Sequence, residues 1–298
     1  MMTRSRCRLW LLCSLLVSWA AYADPMLWQV DAPKSGGRAF LFGSIHFGSD
    51  ALYPLPDYVE DAFDQSQLLV VELDISSVNF VEAGQVLARS GRLPRGERLQ
   101  DKLTSEQWSE LERISIGLGL PVSAFQRLQP WLVAVQLTAA QIRRSGFDEG
   151  QGVDKHLLDR YKRGRPDDMV VELETFAEQM SLFDELNDEE ELAFLQQTLA
   201  EFNDTPKSLE AIMTAWQAGD EAGLAMLIKG AFEEREDRLF QRIFTDRNAM
   251  MQEKLSNRLK QGEQLFVVVG AGHIIGSDGL KARLEHEGYQ VRPLHPER

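Results

Sequence analysis

His46 and His273 each close a Gly-x-x-His motif at the end of an apolar run, FLFGSIH at 40–46 and FVVVGAGH at 266–273. A glycine three residues ahead of an imidazole lets backbone or ligand come close. Two further apolar runs carry acids. LLVVELDI at 68–75 contains Glu72 and Asp74, and MVVELET at 169–175 contains Glu172 and Glu174. An ionised carboxylate on a strand that otherwise reads as buried is costly unless it is paired or coordinates a metal. Two imidazoles with one or two carboxylates suit Zn²⁺, Mn²⁺, Co²⁺ or Fe²⁺. Such an ion with an open position polarises a carbonyl and activates water, and a spare carboxylate supplies a general base. The chemistry these residues imply is metal-assisted hydrolysis.

The competing reading of either histidine alone is a hydrogen-bonded core residue, against which the repeated Gly-x-x-His context weighs. His156 and His286 fall in helical segments and His295 in the tail, so all three read as surface residues. Asp154 and Asn248 also fall in helices, either as solvated or capping residues or as partners that orient a ligand. Other machinery fails on inspection. Gly270, Gly272 and Gly276 do not make the dinucleotide fingerprint, and neither GxSxG nor HExxH occurs. Ser44, beside His46, lacks the oriented acid of a triad.

The elements that must position these groups follow from the pattern. Residues 26–31 and 39–45, separated by Pro33-Lys34-Ser35-Gly36-Gly37, read as a hairpin. The runs at 68–75, 169–175 and 264–270 read as core strands, with Glu72 and Asp74 sharing one face and Glu172 and Glu174 sharing another. A last short strand is expected at YQVRPL. Almost everything between is helical. Thr104 with Gln107 opens one helix, Pro130 opens another that Gly146 closes, and Gly262 and Gly288 end two more. The order of motifs is mirrored, His then acid and later acid then His. This predicts an α/β fold of two β-containing halves related by an internal repeat, with long helical insertions.

Residues 1–23 read as a cleavable export signal: Arg4, Arg6 and Arg8 precede an apolar run that ends at Ala21-Tyr22-Ala23. That run is shorter than the roughly 20 residues a bilayer core requires, so no stable membrane span is expected after cleavage. Residues 24–298 are expected to form one domain in the periplasm or outside the cell. The only cysteines, Cys7 and Cys13, lie in the leader. Cysteine nucleophiles and cysteine-bound zinc are thereby excluded from the mature chain. A formal net charge of −14 argues against nucleic acid as a partner.

The run LFGSIHFGSDALYPLPDYVEDAFDQSQLLVVELD, followed by GVDKHLL, VVELETFAEQ, DRNAMM and FVVVGAGHIIGSDGLKARLEHEGYQV, closely resembles the TraB/GumN family, related to the Tiki metalloproteases. The resemblance spans nearly all of the mature chain. It implies a Tiki/TraB-like α/β fold and a divalent-metal site. Carried over by motif, His46 and His273 match the two Gly-x-x-His histidines and Glu72 the acid of the first strand. Glu174 matches the acid of the Leu-Glu-Thr motif with Gln179 after it, Asp154 the Gly-x-Asp position, and Arg247 and Asn248 the Arg-Asn pair.

The expectation is a periplasmic metal-dependent hydrolase acting on a peptide or protein. His46, Glu72 and His273 would hold the metal, Glu174 would be base or fourth ligand, and Arg247 or Asn248 would steady an oxyanion. Two alternatives stay open: a binding protein for a signalling peptide, metal or haem, and a small-molecule esterase. The substrate, the metal, the oligomeric state, and whether Glu172 or Glu174 faces the site are not specified by the sequence.

Overall fold

The computed structural model describes residues 24–165, 168–231 and 237–294. Residues 1–23, expected to be the leader, and His295 lie outside the described residues. Six strands form one mixed sheet: β1 (Leu27–Asp31), β2 (Arg38–Ser44), β3 (Leu68–Val71), β4 (Val171–Glu172), β5 (Gln264–Gly270) and β6 (Gln290–Leu294), in the order β4-β3-β5-β2-β1-β6. β4, β3, β5 and β2 run parallel, whereas β1 and β6 are antiparallel additions. The expected hairpin forms, with Leu27 opposite Phe42 and Asp31 opposite Arg38. Its turn uses Gly36 at φ 74°, a conformation that favours glycine.

Position in the sheet explains composition. β5 is central and buried from Leu265 to Gly270, which is why it reads as an unbroken apolar run. β6 lies at the edge, partly exposed, and tolerates Pro293. Leu157, Leu158 and Tyr161 of helix Val153–Gly164 and Met251, Leu255 and Leu259 of helix Arg247–Lys260 join the strands in one core. Each fully buried leucine contributes about 1.5–3 kcal/mol. Helices Ser105–Leu118, Pro130–Arg144 and Asp188–Glu201 enclose a second core around Trp108, Leu111, Leu137 and Leu195. The Thr104–Gln107 capping box opens the first of these helices. Among the described residues no helix is long and apolar enough to cross a membrane.

Two strands are shorter than their apolar runs. β3 ends at Val71, and Asp74 turns the chain by accepting from the Ser76 backbone N–H and hydroxyl at 3.1 and 2.7 Å. β4 ends at Glu172, although Leu173 and Glu174 still donate backbone hydrogen bonds to Val71 and Glu72. The shared-face expectation therefore fails at both runs. Glu172 is exposed and accepts from the Asp74 backbone N–H at 2.8 Å, while Glu174 is buried. Asp74 pairs with Lys162, away from the Glu72 contacts. The two Gly-x-x-His strands lie side by side, Ser44 opposite Gly270. Because β5 inserts between β3 and β2, the sheet does not split into two half-sheets, and the expected internal repeat is not confirmed by it.

Candidate functional site

Parallel strands deliver their C-terminal ends to one edge of a sheet, where α/β proteins gather ligands. Glu174, Glu72, His273 and His46 follow the ends of β4, β3, β5 and β2, neighbours in that order. His46 lies in the loop after β2, and His273 in a single turn, Ala271–Ile274, that follows β5 directly. Three of the four potential ligands face Gly270. A Cβ built there would stand 3.1 Å from His46 Nε2, 3.3 Å from Glu72 Oε1 and 3.7 Å from His273 Cδ2. The hydrogen atom of Gly270 thus leaves the space into which the imidazoles and the carboxylate point. The backbone N–H of Gly270 also donates to Glu72 Oε1 at 2.6 Å.

Each imidazole is held from behind. Asn248 Nδ2 donates to the Asp278 carbonyl at 2.9 Å, which turns Asn248 Oδ1 toward His273 Nδ1 at 2.7 Å. Nδ1 must then carry the proton, which leaves Nε2 unprotonated, 3.9 Å from Glu72 Oε1. His46 Nδ1 lies 3.3 Å from Asp154 Oδ2. A carboxylate or amide oxygen behind Nδ1 is the arrangement that orients metal-binding histidines. Asp154 reaches its place because the 147–152 loop clamps the His46 loop. Gly48 and Asp148 exchange backbone hydrogen bonds at 3.0 Å, and Val153 N–H donates to the Ile45 carbonyl at 2.9 Å. A Cβ on Gly152 would lie 2.6 Å from the His46 carbonyl oxygen, so the two chains meet only through glycine.

Behind the histidines is a closed ion-pair network. Arg247 donates from Nε to Glu174 Oε1 at 2.7 Å and from Nη2 to Glu174 Oε2 at 2.6 Å and Glu72 Oε2 at 2.9 Å. Its Nη1 donates to the Ile243 carbonyl at 3.2 Å. Arg247 and Asn248 follow a π-helical segment, Gln241–Asp246, a distortion common at functional sites. Successive helical side chains diverge, so Arg247 serves the carboxylates and Asn248 serves His273. Phe244 of that segment packs on the His273 ring at 5.3 Å between centroids.

These contacts set the protonation states. Burial lowers the His273 pKa to about 4, leaving it neutral at physiological pH. Burial alone would raise Glu72, but the imidazoles of His273 and His46, the Arg247 guanidinium and the Gly270 N–H hold it at about 2. Enclosure lowers the His46 pKa, but the charge and hydrogen bond of Asp154, with Glu72 beyond, override it and raise the group to about 9. The His46 side chain is nonetheless 59% exposed. It opens on a pocket of about 510 Å³ that Glu72, Asp154, Gln179, Leu73 and Ile75 also line.

The sheet edge thus brings together His46, Glu72, Glu174, His273, Arg247, Asn248 and Asp154. Glu174, not Glu172, is the acid that faces the cluster. His156 is half-buried rather than on the surface, its ring stacked on Tyr53 at 3.9 Å, whereas His286 is exposed. Sequence reasoning missed Phe244 and the Gly270 N–H, although the Gly-x-x-His spacing already marked Gly270 as a point of close approach. By donor type, two imidazoles and a carboxylate fit a borderline divalent ion, with His273 already neutral and His46 giving up its proton on binding. Among the described residues no group of three or more His, Cys, Asp or Glu side chains is disposed to hold an ion as it stands. The 3.9 Å between His273 Nε2 and Glu72 Oε1 exceeds the about 3.3 Å between two donors on a tetrahedral ion.

The sequence model of the TraB/PrgY/gumN family matches residues 26–293. The uncharacterized protein YbaP of Escherichia coli K12 is 29% identical over 89% of this chain and 96% of its own length. An uncharacterized protein of Treponema pallidum is 24% identical over 93% of this chain and 90% of its own. Metalloprotease TIKI1 of Danio rerio is 23% identical over 91% of this chain but 65% of its own. No solved structure matches the chain. With the family match running from β1 into β6 and across every residue of the cluster, the chain belongs to the TraB/PrgY/gumN family.

Proposed function

We propose that this protein is a metal-dependent hydrolase of the periplasm, cleaving peptide bonds after export by its leader. The observation that carries the reading is the convergence of His46 Nε2, Glu72 Oε1 and His273 on the space above Gly270, each imidazole steadied at Nδ1. The distant likeness to relatives named metalloproteases supports the reaction class.

His46, His273 and Glu72 would hold the ion. When bound, a divalent metal supplies Lewis-acid polarisation of the scissile carbonyl and a more acidic water. The remaining work falls to the chain. Asn248 and Asp154 fix the two imidazoles so that Nε2 faces the reaction space. Arg247 neutralises Glu72 and Glu174, and the bidentate grip of Glu174 fixes Arg247. Both Glu174 oxygens are engaged by Arg247, so Asp154, which lines the pocket with a partly exposed side chain, would be the nearer proton acceptor.

The same saturation of Arg247 and Glu174 favours a second reading, capture of a peptide, metal or haem without chemistry, since capture needs no general base. Incubation with a peptide library and Mn²⁺ or Co²⁺ separates them. Metal-dependent cleavage supports the hydrolase, and saturable retention of intact peptide supports the binder. Turnover of chromogenic esters without peptide cleavage would instead make it an esterase.

A further inference from the structure

The pocket beside the cluster has a mixed lining: His46, Glu72, Glu149, Asp154, Lys155 and Gln179 are polar, whereas Leu73 and Ile75, with the core side chains of Val71, Leu158 and Val268, are apolar. Its volume of about 510 Å³ falls in the range of small-ligand sites. Exposed apolar side chains follow Ile75 in the chain. Ile75 is 61% exposed, and Phe80 and Val81, on the first turn of the helix that Asn79 caps, are 89% and 68% exposed. That helix, Phe80–Ser90, buries none of its residues. Solvated large apolar side chains grouped in one segment usually mark a binding surface.

We infer that this pocket and the 75–81 lip form a specificity site for a peptide carrying a bulky aliphatic or aromatic side chain, seated against Leu73 and Ile75 beside the scissile bond. The inference rests on the peptidase reading for the chemistry but not for the binding. Two observations select a peptide over other occupants. Ile75 of the lip also lines the pocket that His46 and Glu72 line, so what it holds is presented to them. The chain is also strongly acidic overall, at −14, which disfavours an anionic lipid surface and acidic peptides alike. A hydrophobic pocket discriminates by the surface it removes from water, so a leucine side chain should be preferred to alanine by about tenfold or more.

The test uses the full mature protein without added metal, titrated with capped pentapeptides Gly-Gly-X-Gly-Gly in which X is Leu, Phe, Ala, Lys or Glu. Binding is followed by methyl NMR shifts of Leu73 and Ile75. The expected result is binding of the Leu and Phe peptides about tenfold or more tightly than the Ala and Glu peptides. In Ile75→Asp and Leu73→Asn variants that preference should vanish while thermal unfolding and Mn²⁺ affinity stay at the wild-type level. Equal affinity across the series, no binding of any peptide, or a preference that survives both variants would overturn the inference. So would concentration-dependent self-association that Phe80→Asp abolishes, since a second copy would then own the lip. A retained Leu preference with no cleavage of any peptide would leave the pocket standing and remove the hydrolase instead.

Discussion

Asn248 Oδ1 lies 2.7 Å from His273 Nδ1 while the other end of the same amide is tied to the Asp278 carbonyl. The amide cannot flip without losing that bond, so one side chain decides which nitrogen of His273 is free to bind a ligand. Asn248→Ala should weaken Mn²⁺ or Co²⁺ binding about 10–100-fold, the usual effect of removing an orienting partner. Calorimetric titration at fixed pH reads this, and unchanged affinity would show that Asn248 merely fills space.

Gly270→Ala is a sharper probe of the same space. The backbone there, at φ −50° and ψ 136°, accepts any L-residue, yet the new methyl carbon would stand 3.1 Å from His46 Nε2 and 3.3 Å from Glu72 Oε1. The expected variant folds and loses divalent-ion binding. A Gly270→Ala protein that still binds the ion as wild type does would place the ion elsewhere.

Arg247 faces two buried carboxylates, so Arg247→Met strands both charges and should cost about 3–5 kcal/mol in urea unfolding at pH 7. The pH dependence has a defined sign. In the wild type Glu72 is held near 2, below its ordinary 4.5, so its stabilisation is full above about 4.5 and is lost as pH falls toward 2. In the variant Glu72 loses the guanidinium that helps hold it down and takes up a proton more readily, so the deficit should shrink as pH falls from neutrality. A deficit independent of pH would contradict the charge argument.

Glu191 is buried in the helical core, where burial raises its carboxyl to about 7 against the pull of the Trp131 backbone N–H. Its Oε2 has no hydrogen-bond partner. Between pH 4.5 and 7 the folded state keeps a proton that the unfolded state releases, so stability falls as pH rises through that window. Glu191→Gln should remove the slope and stabilise the protein above pH 7 by on the order of 2 kcal/mol. Thermal melts of both proteins from pH 4 to 8 would show it, and parallel curves would argue against it.

The strands and the histidines were legible because their signals are local. An unbroken apolar run such as QLFVVVG has few uses other than a central strand, and Gly-x-x-His after it places a ring at the sheet edge. The strand ends at Val71 and Glu172 were not legible. The apolar run continues past them, and it is Asp74, through Ser76 and Lys162, that bends the first chain away. The bidentate grip of Glu174 on Arg247 joins residues 73 apart in sequence and leaves no periodic trace. The parts of Asp154 and Asn248 were visible only through the motifs they occupy, since both sit in helices where a polar residue is ordinary. The π-helical turn that precedes Arg247 has no sequence signature at all.

The most direct test of the account is divalent-ion binding by the mature protein, measured by calorimetry and elemental analysis beside a His46→Ala, His273→Ala double variant. The account predicts stoichiometric binding in the wild type and none in the variant, with both proteins folded. No binding by the wild type, or undiminished binding by the variant, would contradict it and leave the convergence above Gly270 a structural arrangement.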